Sequence, residues 1–206
     1  MNNCREHITF VIATNNPGKL REMREILSKL EVSAVSLAEA GVDIEIEETG
    51  ATFSENAFLK ARAVCEATGM PAIADDSGLV VYGLGGEPGV YSSSYGGDGL
   101  DDNARCMFLL QNMLNLEQRA AKFVSNIGCV FPDGKTILSE GECHGEITDR
   151  PRGIGGFGYD PVFLVDGMGK TMAELSEQEK NAVSHRGNAL RKFDKALLTF
   201  CQNQEV

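Results

Sequence analysis

The segment ITFVIATNNPGK, residues 8–19, decides the fold class of the chain. Residues 8–13 are apolar or β-branched and predict a short buried strand. Asn16 and Pro17 follow as a helix-start signal, because Asn caps helices and Pro suits the first helical position. A strand followed at once by a helix is typical of an α/β protein.

The next predicted elements are a helix and then a strand. Residues 52–55, TFSE, match the capping box and open a helix that should run to about Thr68, with Gly69 as its stop. Residues 71–74 predict a short strand. We expect it to end at DDSG, residues 75–78, since Asp and Gly are common in turns.

The second half of the chain predicts a long hairpin. Its strands cover residues 121–131 and 136–147, and PDGK, residues 132–135, forms the turn because Pro presets φ and Gly accepts a positive φ. Three more segments complete the prediction: a helix over 103–116, a strand over 162–165 and a last helix capped by Ser184. Because the hairpin requires antiparallel pairing, we expect an α/β protein with a mixed sheet, in a single domain over residues 1–206.

The charge of the chain limits its partners. The net charge is −11, from 30 Asp and Glu against 19 Lys and Arg. A nucleic-acid-binding face needs clustered Lys and Arg to neutralise phosphates, so no nucleic acid partner is expected. A small anionic ligand is compatible with this charge, because a few local cations and a metal ion suffice for it.

The six cysteines indicate a reducing compartment. They are scattered and none forms a C-x-x-C pair, so a zinc site is not expected. Isolated cysteines in strand- and helix-like segments are typical of small core residues. Because no apolar run is long enough to cross a bilayer and no signal peptide is visible, we expect a cytoplasmic protein without a membrane partner.

Residues 14–19, TNNPGK, lie where a strand passes into a helix. Free backbone N–H groups and the positive end of the helix dipole favour a phosphate at such a junction, and Lys19 adds a charge. The P-loop pattern is absent. The alternative interpretation is an Asn cap followed by a solvated Lys19.

Acidic residues offer a site for a hard cation. Asp75 and Asp76 follow an apolar strand, where a rigid backbone holds carboxylates well enough to bind Mg²⁺. Glu45, Glu47 and Glu48 precede the capping box. The alternatives are a pair of turn formers for the aspartates and a solvated face for the glutamates.

Two further groups of polar residues are open to either a functional or a structural interpretation. Asn56 and Lys60 share one face of a helix, so Lys60 is either a functional cation or a side chain that extends to solvent. Residues 157–160, FGYD, can stack on a base, and Lys180 and residues 185–186 can serve as hydrogen-bond donors. The alternative is that the aromatic rings pack in a core and that residues 185–186 lie at the surface.

In their order and spacing, the motifs of this chain resemble those of the Ham1-like inosine/xanthosine triphosphate pyrophosphatase family. Six stretches carry the resemblance: ATNNPGKLRE (13–22), EETGATFSENAFLKA (47–61), PAIADDSGL (71–79), LGGEPGVYS (84–92), GGFGYDPVF (155–163) and SHRGNAL (184–190). Together they extend over essentially the whole chain. The main departure is Asn15, where many members carry Gly, and Asn tolerates a left-handed backbone better than most residues.

The resemblance implies an elongated α/β mixed-sheet fold with two lobes around a central nucleotide-binding groove, and a homodimer. It implies Mg²⁺ bound by Asp76 with Glu47 or Glu48, and catalytic roles for Asp76 and Lys60. The residues that it implies for substrate binding are Thr14, Asn15, Asn16, Pro17, Gly18, Lys19, Ser77, Phe157, Gly158, Tyr159, Asp160, Lys180, His185 and Arg186.

The implied reaction converts ITP, dITP or XTP to the monophosphate and pyrophosphate. Asp76 would orient or deprotonate the attacking water. An ordinary Asp has a pKa of about 3.9 and is a weak base, so metal and geometry would supply most of the activation. Arg186 only donates hydrogen bonds, and it therefore suits the C6 oxygen of hypoxanthine or xanthine and opposes the amino group of adenine.

Two other functions stay open at this point. One is a Maf-like nucleotide pyrophosphatase with a different base preference, against which the SHR element at residues 184–186 argues. The other is a non-catalytic nucleotide sensor, which would have no need of an acidic cluster.

Overall fold

The computed structural model describes residues 8–203, a range that contains six strands and five α-helices. The strands are β1 (Thr9–Ile12), β2 (Ser33–Ser36), β3 (Ala72–Val81), β4 (Ala120–Val130), β5 (Thr136–Ile147) and β6 (Phe163–Val165). The helices are α1 (Pro17–Lys29), α2 (Phe53–Thr68), α3 (Asp102–Asn112), α4 (Glu177–Val183) and α5 (His185–Gln202). No helix within the described range is both long and apolar enough to cross a bilayer.

The six strands form one mixed sheet in the order β2-β1-β3-β4-β5-β6. Strand β1 pairs in parallel with β2 and β3, whereas β5 pairs antiparallel with β6. Strands β4 and β5 are neighbours joined by a tight turn, in which Gly134 has a φ of 83°. The predicted α/β class and mixed sheet are confirmed.

Local signals fix the start of α1 and both ends of α2 as predicted. Asn16 caps α1, and its side chain accepts from the backbone N–H of Lys19 at 3.0 Å. Thr52 and Glu55 form a complete capping box at the start of α2. Gly69 ends α2 with a φ of 67°, a left-handed conformation that glycine adopts without steric cost.

The chain divides into two compact units, each built from separate segments. Unit 1 consists of Met1–Asp76, Ser125–Gly141 and Arg186–Val206. Unit 2 consists of Ser77–Val124 and Glu142–His185. Strands β3, β4 and β5 each contribute residues to both units, and the single domain over residues 1–206 stays a prediction.

In unit 1 the two faces of β1 are both buried. Phe10 and Ile12 pack with α1 and α5, and Phe10 meets the ring of Phe193 edge-on at 5.8 Å. Val11 and Ala13 belong to a second apolar cluster that includes Ala61, Val64 and Cys65 of α2. Alternate residues of a strand point to opposite faces, so an apolar run such as β1 is what a strand covered on both faces requires.

Unit 2 has its own apolar core. It combines the second half of β3 and the first part of β4 with β6 and with the inner face of α3, where Leu109 is fully buried. The cysteines of the described range, Cys65, Cys106, Cys129, Cys143 and Cys201, are all free thiols in buried positions, as expected for small core residues. Cys4 lies outside the described residues.

Strand β3 differs from the prediction. It does not end before Asp75 but runs for ten residues through Asp75 and Asp76 to Val81. Both carboxylates are almost fully buried within it, at 1% and 4% exposure. The expected turn at residues 75–78 is therefore wrong, because cationic partners from elsewhere in unit 1 compensate the buried charges that would otherwise break the strand.

Candidate active site

The predicted phosphate loop follows β1 directly. Thr14 and Asn16 shape it, since the backbone N–H of Asn16 donates to the hydroxyl of Thr14 at 3.2 Å while Asn16 itself caps α1. The Asn15 amide donates to the carbonyl of Ile44 at 3.2 Å and ties the loop to the segment that carries the glutamates. Residues 15–17 are exposed, which leaves this helix end accessible to an anion.

Lys60 joins two carboxylates within unit 1. Its ammonium group lies 2.8 Å from Asp76 and 2.8 Å from Glu48. Asn56, one helical turn before Lys60, donates to the other oxygen of Asp76 at 3.4 Å and accepts from the backbone N–H of Gly50 at 2.7 Å. The prediction that Asn56 and Lys60 share a face is confirmed, and that face holds Asp76.

Small residues bring α2 close to the sheet. A side chain added at Gly128 of β4 would lie only 3.1 Å from the backbone of Ala57 and Phe58. Strand β4 therefore approaches α2 at Ala57, which lies next to Asn56 in sequence. The small residues beside Asn56 and Lys60 serve packing within unit 1.

Asp75 is the centre of a second charged group. It accepts from Lys19 at 3.0 Å, from Arg186 at 3.0 Å and from the hydroxyl of Ser125 at 2.5 Å. Arg186 also pairs with Glu22, which lies three residues after Lys19 on α1. Lys19, Asp75, Arg186 and Glu22 thus form a cluster, buried except at Lys19, in which opposite charges alternate from one contact to the next.

The surroundings of Asp76 change its acidity. Burial raises its pKa, and although Lys60 and Lys19 oppose that effect, the pKa is raised to about 6. For Glu48, partial burial is the largest single effect and would raise its pKa. The charge and hydrogen bond of Lys60, together with the charge of Lys19 and a hydrogen bond with Asp76, outweigh that effect, so this pKa is lowered. For Lys60, the two carboxylates outweigh burial and raise its pKa, so it stays charged. Asp76 is consequently a stronger base than an ordinary aspartate.

These carboxylates suit a hard divalent cation. Asp76 and Glu48 converge on one cationic group, Lys60, at 2.8 Å each. Glu47 and Glu48 are both exposed, so the contact with Lys60, and not burial, is what marks Glu48. Mg²⁺ is commonly bound through one or two carboxylates, with water and substrate phosphates as its other ligands. Within residues 8–203 no three His, Cys, Asp or Glu side chains are grouped to hold a metal, and a site of this kind does not need three.

The predicted base-binding loop, residues 157–160, lies in unit 2. The ammonium group of Lys180 lies 4.7 Å from the centre of the Phe157 ring and pairs with Asp160. Asp160 also accepts from the backbone N–H of Phe157 at 2.9 Å. Any side chain at Gly156 would collide with the Asp160 carboxylate, which occupies the space that a Cβ would need.

The remaining predicted residues have varied surroundings. Tyr159 is buried and donates to the carbonyl of Ser92 at 2.9 Å, so its ring packs in the core of unit 2. His185 is also buried and stacks on Phe123 with ring centres 4.7 Å apart. Ser77 is half-buried on β3. The structural interpretation thus holds for Tyr159, while Phe157 keeps a partly accessible ring beside Lys180.

Arg186 has partners that the sequence did not suggest. It is 1% exposed and pairs with Asp75 and Glu22 in unit 1. Burial alone would lower its pKa, but these two carboxylates more than offset burial and raise it, so the guanidinium is permanently charged. In this arrangement Arg186 supports Asp75, and its role in substrate binding stays a prediction.

A sequence model of the Ham1 family matches residues 10–196. The chain belongs to the Ham1 family. Two curated members bear the name dITP/XTP pyrophosphatase. The one from Thermus thermophilus is 52% identical over 88% of this chain and 87% of its own length, and the one from Bacillus subtilis is 49% identical over 91% and 96%.

A solved structure of a Ham1 family member supports the same conclusion about the fold. The HAM1 protein of Coxiella burnetii is 42% identical to this chain and superimposes with a TM-score of 0.84. The match covers 92% of this chain and 98% of the other. The fold described above is therefore the Ham1 fold along nearly its whole length.

Sequence reasoning missed several polar residues of this Ham1 site. Helical spacing could have indicated Glu22, because it lies three residues after Lys19 and therefore on the same face of α1. Asp75 was considered only as a cation ligand or turn former. Nothing in the sequence marked Ser125, because its contact with Asp75 spans 50 residues of chain.

Proposed function

We propose that the chain hydrolyses purine nucleoside triphosphates that carry a damaged base, namely ITP, dITP and XTP, to the monophosphate and pyrophosphate. The observation that carries the proposal is Asp76, a buried carboxylate with a raised pKa, held by Lys60 and Asn56 in a chain of the Ham1 family. The curated relatives at 52% and 49% identity support the substrate class through their names.

Binding of the phosphates is proposed for residues of unit 1. Residues 14–19 offer backbone N–H groups at the start of α1, and Lys19 lies beside Asp75. Mg²⁺ is the cofactor in this proposal, with Asp76 and Glu48 rather than Glu47 as its protein ligands. When bound, the ion offsets phosphate charge and increases the acidity of water.

Asp76 is the proposed base. Its carboxylate accepts the proton of the water that attacks the α-phosphorus, and pyrophosphate leaves. Lys60 fixes one carboxylate oxygen and Asn56 contacts the other, so the carboxylate is oriented before substrate arrives. A pKa of about 6 lets Asp76 remain ionised at neutral pH while accepting a proton more readily than an exposed aspartate.

Recognition of the base is proposed for residues of unit 2. Phe157 is the candidate for stacking on the purine, with Lys180 above its ring at 4.7 Å. Ser77, residues 158–160 and His185 complete the assignment. Arg186 is also proposed to bind substrate, and its burial against Asp75 and Glu22 makes it the first residue to test.

A homodimer also belongs to the proposal and rests on the resemblance to the Ham1 family. The proposed cytoplasmic location rests instead on the scattered cysteines, which are free thiols in the described residues. Light scattering coupled to gel filtration measures the mass of the particle against the 22.2 kDa of one chain. A particle of one chain's mass at micromolar concentration contradicts the dimer. This measurement is independent of the assay for activity.

The deciding experiment is a turnover profile with identified products. Purified protein with Mg²⁺ is given ITP, dITP, XTP, ATP, GTP, dTTP and UTP in turn, and products are separated by ion exchange. We expect monophosphate and pyrophosphate from the first three at much higher kcat/KM than from the others. A preference for dTTP or UTP would favour the Maf-like alternative, and binding without pyrophosphate release would favour a sensor.

A further inference from the structure

Two side chains of α3 form hydrogen bonds with the backbone of Gly158, a residue of the predicted base-binding loop. The N–H of Gly158 donates to the carboxylate of Asp102 at 2.7 Å. The carbonyl of Gly158 accepts from the thiol of Cys106 at 3.3 Å. Asp102 and Cys106 are four residues apart, so they share one face of α3, and all three residues lie in unit 2.

The conformation of Gly158 gives this pair of contacts its significance. Gly158 has a φ of 60°, a left-handed conformation that favours glycine, and it directly follows Phe157. The N–H of Gly158 belongs to the peptide unit that directly follows the Phe157 Cα, so the contact with Asp102 fixes the orientation of the backbone to which the Phe157 ring is attached. Fixing both polar groups of Gly158 limits the positions that the Phe157 ring can adopt.

The chemistry of the two partners suits a lasting contact. A carboxylate that accepts a backbone N–H makes a charge-assisted hydrogen bond, which is stronger than one between neutral groups. Burial, together with the neighbouring carboxylates of Asp102 and Asp160, raises the pKa of Cys106 to about 12. The thiol stays protonated and keeps the hydrogen that it donates.

Capping of α3 does not account for Asp102. The N-cap of this helix is Asp101, whose side chain accepts from the backbone N–H of Ala104 at 2.7 Å. Asp102 is exposed and is directed to Gly158, 56 residues further along the chain. The two adjacent aspartates thus have separate partners, and this separation supplies a matched control.

We propose that Asp102 is a positioning residue for nucleobase recognition, acting through the backbone N–H of Gly158 on Phe157. The inference rests on the proposed function, since it assigns the base to residues 157–160. Asp102 does not touch the substrate in this proposal. It lowers the cost of ordering the loop, so its loss should weaken recognition of the base and spare the phosphate end.

The test compares three variants with the wild type. Asp102→Ala removes the acceptor, Asp102→Asn keeps an acceptor oxygen without the charge, and Asp101→Ala removes the helix cap but not the contact with Gly158. Three quantities are measured on each: hydrogen exchange of the Gly158 amide by NMR, KM and kcat for ITP, and the Kd of pyrophosphate, which lacks a base.

We expect Asp102→Ala to expose the Gly158 amide to exchange and to raise KM for ITP about tenfold, with kcat and the Kd of pyrophosphate unchanged. Asp102→Asn should recover most of the lost affinity. Asp101→Ala should lower the melting temperature while leaving KM and Gly158 exchange as in the wild type. An unchanged KM in Asp102→Ala, or an equal rise in Asp101→Ala, overturns the inference.

The outcome is separable from that of the proposed function. A wild type that fails to release pyrophosphate from ITP refutes the proposed function, and this inference falls with it. A wild type that is active on ITP, together with an Asp102→Ala variant that matches it in KM and in Gly158 exchange, refutes only the role of Asp102.

Discussion

Arg186 lies 3.0 Å from Asp75, although 111 residues separate the two in sequence. The pair brings the first turn of α5 against the middle of β3 inside unit 1. Lys19 contacts the same carboxylate oxygen, and Glu22 contacts Arg186. Asp75 therefore links a residue of the proposed phosphate loop to a buried structural cation, and it lies next to the proposed base, Asp76.

This pairing leads to a prediction for Arg186→Ala that differs from the one implied by base recognition. Removing one partner of a buried ion pair leaves an uncompensated charge, so the free energy of unfolding should fall by about 3–5 kcal/mol. Turnover of ITP and ATP should then fall by a similar factor. The measurements are denaturant unfolding and kcat/KM for both substrates on the same preparation.

Arg186→Lys is the matched control, because it keeps a charge and loses the planar fork that pairs with two carboxylates. It should lie between wild type and Arg186→Ala in stability. A drop of about tenfold in the ITP/ATP ratio of kcat/KM in Arg186→Ala would correspond to a selective loss of roughly 1.4 kcal/mol for ITP. That result would mean that Arg186 contacts the base, as the resemblance implies.

Asp76→Asn should remove most turnover without unfolding the protein. Asn is nearly isosteric and keeps an oxygen for Lys60, but it cannot take up the proton and it binds Mg²⁺ weakly. General base catalysis contributes about 10²–10⁴-fold, so kcat should fall by at least about 10². The measurement is kcat at saturating Mg²⁺. The control is Asp133→Asn, in the exposed β4–β5 turn. A near wild-type kcat in Asp76→Asn would show that Asp76 is not the general base.

Lys19→Ala should mainly raise KM for the triphosphate. A hydrogen bond to a charged group contributes roughly 1.5–3 kcal/mol, which corresponds to a rise of about 10- to 150-fold. Arg186 and Ser125 still hold Asp75 in this variant, so the fold should persist. Steady-state kinetics decide, with Lys29→Ala at the other end of α1 as control. Equal kinetic constants in both variants would make Lys19 a structural residue.

The acid limb of the pH profile should report Asp76. Its pKa is raised to about 6, and the carboxylate must be ionised to accept a proton, so kcat/KM should fall as pH drops through about 6. Glu48 has a lowered pKa and stays ionised in this range. Because a cation and a proton compete for Asp76, higher Mg²⁺ should move the limb to lower pH. If the pH of the acid limb does not change with Mg²⁺ concentration, the limb reports the titration of a group other than Asp76.

Parts of the fold that depend on local chemistry were predictable from the sequence. The caps at Asn16 and Thr52 and the stop at Gly69 act within a few residues, and each is found as predicted. Helix α4 was missed although Ser176 and Glu179 form a capping box, since the helix has only seven residues. Strand β2 is four residues long, too short for a clear alternating pattern.

Parts that depend on distant partners were not predictable. Asp75 and Asp76 have low β-propensity, and only the pairing with Arg186, Lys19 and Lys60 explains why β3 continues through them. The same limit applies to the site. Motifs indicated which residues carry chemistry, but not that Arg186 faces carboxylates or that Asp102 holds Gly158.

The division of unit 1 into three segments bears on how the protein forms during synthesis. Phe10 and Ile12 share their apolar cluster with Leu190, Phe193 and Leu197 of α5, which the ribosome makes about 180 residues later. Synthesis proceeds at roughly 5–20 residues per second, so on the order of ten seconds pass between the synthesis of β1 and that of α5. Throughout that interval an apolar surface of the nascent chain stays uncovered, so a truncation before α5 should be aggregation-prone and a natural client for chaperones.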